Sequence, residues 1–124
     1  MNIEIYPLKK ILVDHVAIYF GMEKSIVDTA IGHGQQIGNR YYYFNNEMAI
    51  DYSNNKVEFI EFLGGVDGML KPTIYGISAF ETQANDLFEV LKKQNNGMAG
   101  DHENGYSYQF ENITDIPTLI FLSI

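Results

Sequence analysis

Arg40–Phe62, RYYYFNNEMAIDYSNNKVEFIEF, holds three short runs rich in Tyr, Phe, Ile and Val, parted by Asn45-Asn46 and by Ser53-Asn54-Asn55. Aromatic and β-branched side chains suit a pleated, half-buried surface, and Asn tolerates the positive φ that tight hairpin turns need. The stretch therefore predicts a three-stranded antiparallel meander over about Arg40–Phe44, Glu47–Tyr52 and Lys56–Leu63. In this reading Glu47 and Asp51 share one face of the middle strand, and Met48, Ile50 and Tyr52 share the other.

Upstream of the meander, Ile3 and Ile5 alternate with Asn2 and Glu4, a short strand that Pro7 ends. Val16, Ile18 and Phe20 alternate with His15, Ala17 and Tyr19 in a second extended piece, which Gly21 breaks. Glu23–Ile31 carries Ile26, Val27, Ala30 and Ile31 on one apolar helical face, with Gly32 placed to end the helix in a left-handed turn. The loop HGQQIGN then delivers the chain to Arg40.

Downstream, LGGVDGMLKP reads as a flexible joint, followed by the apolar run Ile74, Tyr75 and Ile77. A second helix has Thr82 as its N-cap, with Ala84, Leu87, Phe88 and Leu91 on one face. Lys92 and Lys93 fall in its last turn, and Asn96-Gly97 ends it. Tyr106, Tyr108 and Phe110 alternate as a half-buried strand, Ile113–Pro117 turns, and Thr118–Ile124 forms a final strand, central or covered on both faces.

The fold class that follows is α+β: an antiparallel sheet with two helices on one side, within a single domain 1–124. The halves 1–63 and 73–124 repeat an order of aromatic strand, helix, glycine loop and aromatic strands, joined by 64–72. One such unit alone would leave its apolar sheet face uncovered.

FGMEKSIVDTAIG followed by aromatic strands, over Ile18–Phe62, resembles the helix-then-meander unit of β-lactamase inhibitor protein and of small outer-membrane assembly lipoproteins. There a Gly-Met opens the helix, as Gly21-Met22 does here. The chain has no cysteine and its opening segment does not read as a signal peptide, so the membrane role of those lipoproteins is not implied. The resemblance implies that fold unit and a protein whose work is to bind another protein.

The chemistry excluded is more definite than the chemistry suggested. Acidic residues outnumber basic ones 16 to 8, a net charge of -8 that repels nucleic acid and anionic lipid and favours a basic partner. With no cysteine there is no disulfide, thiolate metal site or Cys nucleophile. No run approaches the roughly 20 apolar residues of a membrane span, so a cytoplasmic protein is expected.

His15, His33 and His102 read as solvated loop residues, and Asp101-His102-Glu103 lacks the second cluster that a metal site needs. GHGQQIG leaves a helix and enters a strand, the reverse of a dinucleotide loop. No serine sits in a nucleophile elbow, and strict alternation sets Glu58 and Glu61 on opposite strand faces. No catalytic residue, metal site or cofactor is expected.

The remaining feature is an acidic, aromatic sheet surface: Tyr41, Tyr43, Glu47, Asp51, Glu58, Glu61 and Asp67. A tyrosine ring among carboxylates supplies contact area while the acids steer a basic protein. The function expected is a non-catalytic immunity or inhibitor protein that neutralises a basic bacterial toxin such as a nuclease. A solvated face that only aids solubility is the plainer reading of the same residues. Two further alternatives are a small-molecule or enzymatic pocket near His33 and Tyr43, and an oligomerisation module pairing through an edge strand.

Overall fold

A computed structural model describes residues 1–6, 9–94 and 120–123. The chain runs β1 (Asn2–Tyr6), β2 (Lys10–Val13), β3 (Val16–Tyr19) and α1 (Lys24–Ile31). Next come β4 (Gln35–Ile37), β5 (Arg40–Tyr43), β6 (Met48–Ser53) and β7 (Lys56–Phe62). After these come β8 (Lys71–Ile74), β9 (Ile77–Ser78), α2 (Ala84–Gln94) and β10 (Ile120–Ser123). The class is α+β, dominated by sheet.

The meander forms as its residues predict and is longer than predicted. The second sheet runs β10-β7-β6-β5-β4, antiparallel throughout. Asn54 and Asn55 take φ of 53° and 63° between the paired Ser53 and Lys56, the positive values a two-residue hairpin turn needs. The segment expected as a glycine loop contributes β4, because Gly38 turns at φ 63° and lays Gln35–Ile37 back along β5.

Two corrections follow from the turns. Phe44, Asn45 and Asn46 all take positive φ in a turn that spans Phe44 to Glu47, so neither Phe44 nor Glu47 belongs to a strand. Between Asp51 and Tyr52 the β6–β7 register slips: Asp51 pairs Phe59 but Tyr52 pairs Val57. Glu58 is the extra residue of a bulge, and strict alternation fails there.

The first sheet runs β3-β2-β1-β8-β9, and β1 and β8 pair in parallel. The second extended piece expected over residues 15–20 is β3, and residues 10–13 form a further strand, β2, paired antiparallel with it. Asp14 takes φ 48° and, with His15, turns β2 into β3. Lys71 and Pro72, expected in the joint, lie in β8, where Ile3 pairs with Pro72. On either side of β1 the chain repeats one order, hairpin β2–β3 then α1, hairpin β8–β9 then α2.

One hydrophobic cluster joins Ile3, Ile5, Ile11, Ile18 and Ile74 of the first sheet to Tyr43, Met48, Ile50, Ile60 and Phe62 of the second. Val27 of α1 and Leu87 of α2 enter the same cluster. Each fully buried Ile contributes roughly 1.5–3 kcal/mol, so this shared core, rather than any single polar contact, sets the architecture.

The apolar face expected of α1 is only partly used. Val27 is buried but Ile26 and Ala30 are exposed, and Asp28 takes the remaining buried place. Gly32 ends α1 at φ 91°, ψ 171°, outside the left-handed helical region expected of it. In α2 Leu87 is buried while Phe88, expected on the same face, is 41% exposed. The strand expected at Tyr106–Phe110, the turn at Ile113–Pro117 and the helix end at Asn96-Gly97 lie outside the described residues.

Candidate functional site

The tyrosines and acids expected on one outward face of the meander are sent to different places. Register puts Arg40 of β5 opposite Asp51 of β6. Arg40 Nε and Nη2 donate to Asp51 Oδ1 and Oδ2 at 3.0 Å each, a two-pronged ion pair, and Nη1 donates to Glu61 of β7. The Asp51 bond is the main influence raising the pKa of Arg40 above its ordinary value, with Glu61 adding to it and desolvation opposing. The guanidinium also lies 5.6 Å from the Phe59 ring. The Glu61 side chain is only 5% exposed. Asp51 and Glu61 are thus committed to an internal pair.

Glu47 turns away from the sheet surface. Its Oε2 accepts from Met69 N and its Oε1 from Leu70 N, both at 3.0 Å. A Cβ at Gly64 or Gly68 would collide with the same carboxylate, so the glycines expected to make a flexible joint instead close a loop around Glu47.

Tyr41 and Tyr43 face inward, onto α1. Tyr43 Oη donates to Asp28 Oδ1 at 3.1 Å and lies 2.6 Å from Tyr52 Oη. Lys24 Nζ donates to Asp28 Oδ2 at 2.6 Å and stands 4.4 Å over the Tyr41 ring, which meets Tyr52 edge-on at 5.5 Å. His33, 88% exposed, holds Nδ1 3.5 Å from Asp28 Oδ2. A Cβ on Gly34 would sit 2.7 Å from Tyr43 Cζ, so the loop after α1 rests directly on that ring.

Burial above all pushes the Tyr43 hydroxyl well above the ordinary phenol range, with Tyr52 and Asp28 adding to it. Burial likewise pushes Tyr52 up to about 12. Both phenols are neutral at physiological pH, and the Asp28 carboxylate is occupied by the hydroxyl and the ammonium. The cluster is built to fasten α1 to the sheet. A hollow of about 300 Å³ opens beside it, lined by Glu23, Lys24, Ser25, Asp28 and Asn55.

Only Glu58 and Asp67 of the expected surface stand exposed and uncommitted to these contacts. A second open surface lies on the first sheet. Ile3 and Ile5 point into the core, so Asn2, Glu4 and Tyr6 point away from it. Tyr6, Tyr19 and Tyr75 are 41%, 44% and 39% exposed. Lys10 lies between two of these rings, 5.3 Å from Tyr6 and 5.4 Å from Tyr19, and Tyr6, Lys10 and Tyr19 share one register row. The alternation of Asn2, Glu4 and Tyr6 against the isoleucines was a legible signal for this face. What was not legible was that, among the described residues, no helix covers its outer side.

Among the described residues no three or more His, Asp or Glu side chains gather as metal ligands would, and no helix is long and apolar enough to cross a membrane. Comparison of the chain with protein-family models, with curated proteins and with solved structures finds no match.

Proposed function

We propose that the chain is a non-catalytic protein-binding module, most concretely an immunity or inhibitor protein that acts in the cytoplasm by covering the active site of a basic bacterial toxin such as a nuclease. The observation that carries this reading is the outer face of the first sheet, with half-exposed Tyr6, Tyr19 and Tyr75 beside exposed Glu4. Tyrosine is enriched at interface anchors because a rigid amphipathic ring adds area and loses little conformational freedom. The net charge of -8 supplies long-range attraction for a cationic partner. The acids named from the meander contribute mainly through Glu58, Asp67 and this overall field.

Mixing the purified chain with a cationic toxin domain encoded beside its gene tests the reading. A complex is expected whose association slows about tenfold or more as salt is raised, and which weakens when Tyr6 and Tyr19 are both changed to Ala. Absence of a complex, or affinity indifferent to both tyrosines, would rule the reading out.

The 3.5 Å contact of exposed His33 with buried Asp28, near the hollow at the start of α1, favours a second reading: a small polar ligand held there. A thermal-shift screen would then find a compound whose effect disappears in Asp28→Asn.

A further inference from the structure

We infer that the outer face of the first sheet seats an arginine or lysine side chain of a protein partner between Tyr6 and Tyr75, above Glu4. This rests on the protein-binding reading above and names the chemistry that the surface takes. Glu4 of β1 and Thr73 of β8 are register partners across the parallel pair. A cavity lies on each side of them. One, about 140 Å³, is lined by Tyr6, Tyr75 and Gly76 together with Glu4 and Thr73. The other, about 330 Å³, is lined by Asn2, Asp14 and His15 with the same two residues. Glu4 and Thr73 are therefore the shared middle of one groove, with tyrosines at one end and Asp14 at the other.

The occupant follows from charge and from a precedent on the same face. Lys10 already stacks its ammonium between Tyr6 and Tyr19, so these rings hold a cation at close range. On the far side of Tyr6 the equivalent space is bounded by Tyr75 and by Glu4, which has no cationic partner among the described residues. Lys71, on the neighbouring strand, directs its ammonium to Val66 O at 2.8 Å and leaves Glu4 alone. Asp14 Oδ1 accepts from Asn2 N at 2.9 Å, which fixes a second carboxylate at the other end. An aromatic wall over a carboxylate floor binds guanidinium or ammonium through ring face and ion pair together. It repels an acidic segment.

The test is an NMR titration of the full chain with the peptide acetyl-Gly-Arg-Gly-Arg-Gly-amide and with its citrulline counterpart, which keeps the shape and removes the charge. Shifts from the arginine peptide should gather on Glu4, Tyr6, Thr73 and Tyr75. Affinity should fall by about tenfold in Glu4→Gln and in Tyr75→Asn, and by less than about twofold in Glu58→Gln. Tyr75 stands at φ 51°, so Asn preserves its turn where other residues would strain it. Equal binding of the citrulline peptide, or no binding of the arginine peptide, would overturn the seat. Shifts centred on Glu58 and Asp67 would overturn it too while leaving the protein-binding reading standing. That reading falls separately, by failure of the toxin-domain complex.

Discussion

The two sheets of this protein carry their polar residues in opposite ways. On the outer side of the second sheet Arg40 binds Asp51 and Glu61 at once, Ala49 is fully buried, and Glu61 is nearly so. On the outer side of the first sheet Tyr6, Tyr19 and Lys10 stack in the open, and Glu4 has no cationic partner among the described residues. The contrast teaches that the distribution of acids along a chain says little about which of them are offered to a partner. Register decided it: Arg40 lands opposite Asp51, and the meander consumes its own charge.

The sharpest way to break that contrast is Arg40→Ala. It strips the guanidinium from two carboxylates, one of them buried, and should cost about 3 kcal/mol, the lower end of the range for removing one partner of a buried ion pair because Arg40 is 28% exposed. Chemical denaturation measures it; a loss below about 1 kcal/mol would mean that the second sheet is as open as the first. Glu47→Ala should cost about 2 kcal/mol, since it leaves Met69 N and Leu70 N without their acceptor, and it should speed hydrogen exchange at those two amides.

Tyr43→Phe removes one hydroxyl between Asp28 and Tyr52 and should cost about 1–2 kcal/mol. The same pair sets an alkaline limit. An unfolded tyrosine ionises near pH 10, whereas Tyr52 is held neutral up to about 12 and Tyr43 is also raised. The contribution of Tyr52 is thus fully present below about pH 10 and is lost as pH climbs toward about 12, and that of Tyr43 begins to fall in the same direction above about pH 10. Tyr43→Phe should flatten that decline. At the small end, Tyr19→Ser on the open face should change stability by no more than about 0.5 kcal/mol. A larger loss would show that the stacked row serves the fold rather than a partner.

Much of this architecture could be read from residues alone. Asn54-Asn55 and the alternation of Met48, Ile50 and Tyr52 announced the meander, and Ile3 and Ile5 announced β1. The rest depended on turns and distant pairings that local patterns do not encode. Pro72 usually marks an edge or a break, yet here it lies within β8 beside Ile3, where its missing N–H is tolerated and its carbonyl accepts from Ala79 N at 2.8 Å. Glu47 looked like a strand residue because nothing nearby reveals that Phe44 will adopt φ 55° and swing the following residues into a turn. The open face was visible as alternation in β1, but the vicinity of Tyr75 to Tyr6 required a pairing between residues about seventy positions apart.

That pairing also sets an order of assembly. β4 to β7 are joined by short turns and can zip up within one contiguous stretch, whereas β1 must wait for residues 71–74 before its second neighbour exists. Loop closure over such a span is slow relative to hairpin formation. A ribosome that has released residues up to the sixties therefore holds β4 to β7 already paired, with β7 still awaiting β10, beside an unfinished β1, whose free hydrogen-bonding edge is exposed to misassociation until the later hairpin arrives. Stalled nascent chains probed by proteolysis should show protection at Ile50 well before Ile3.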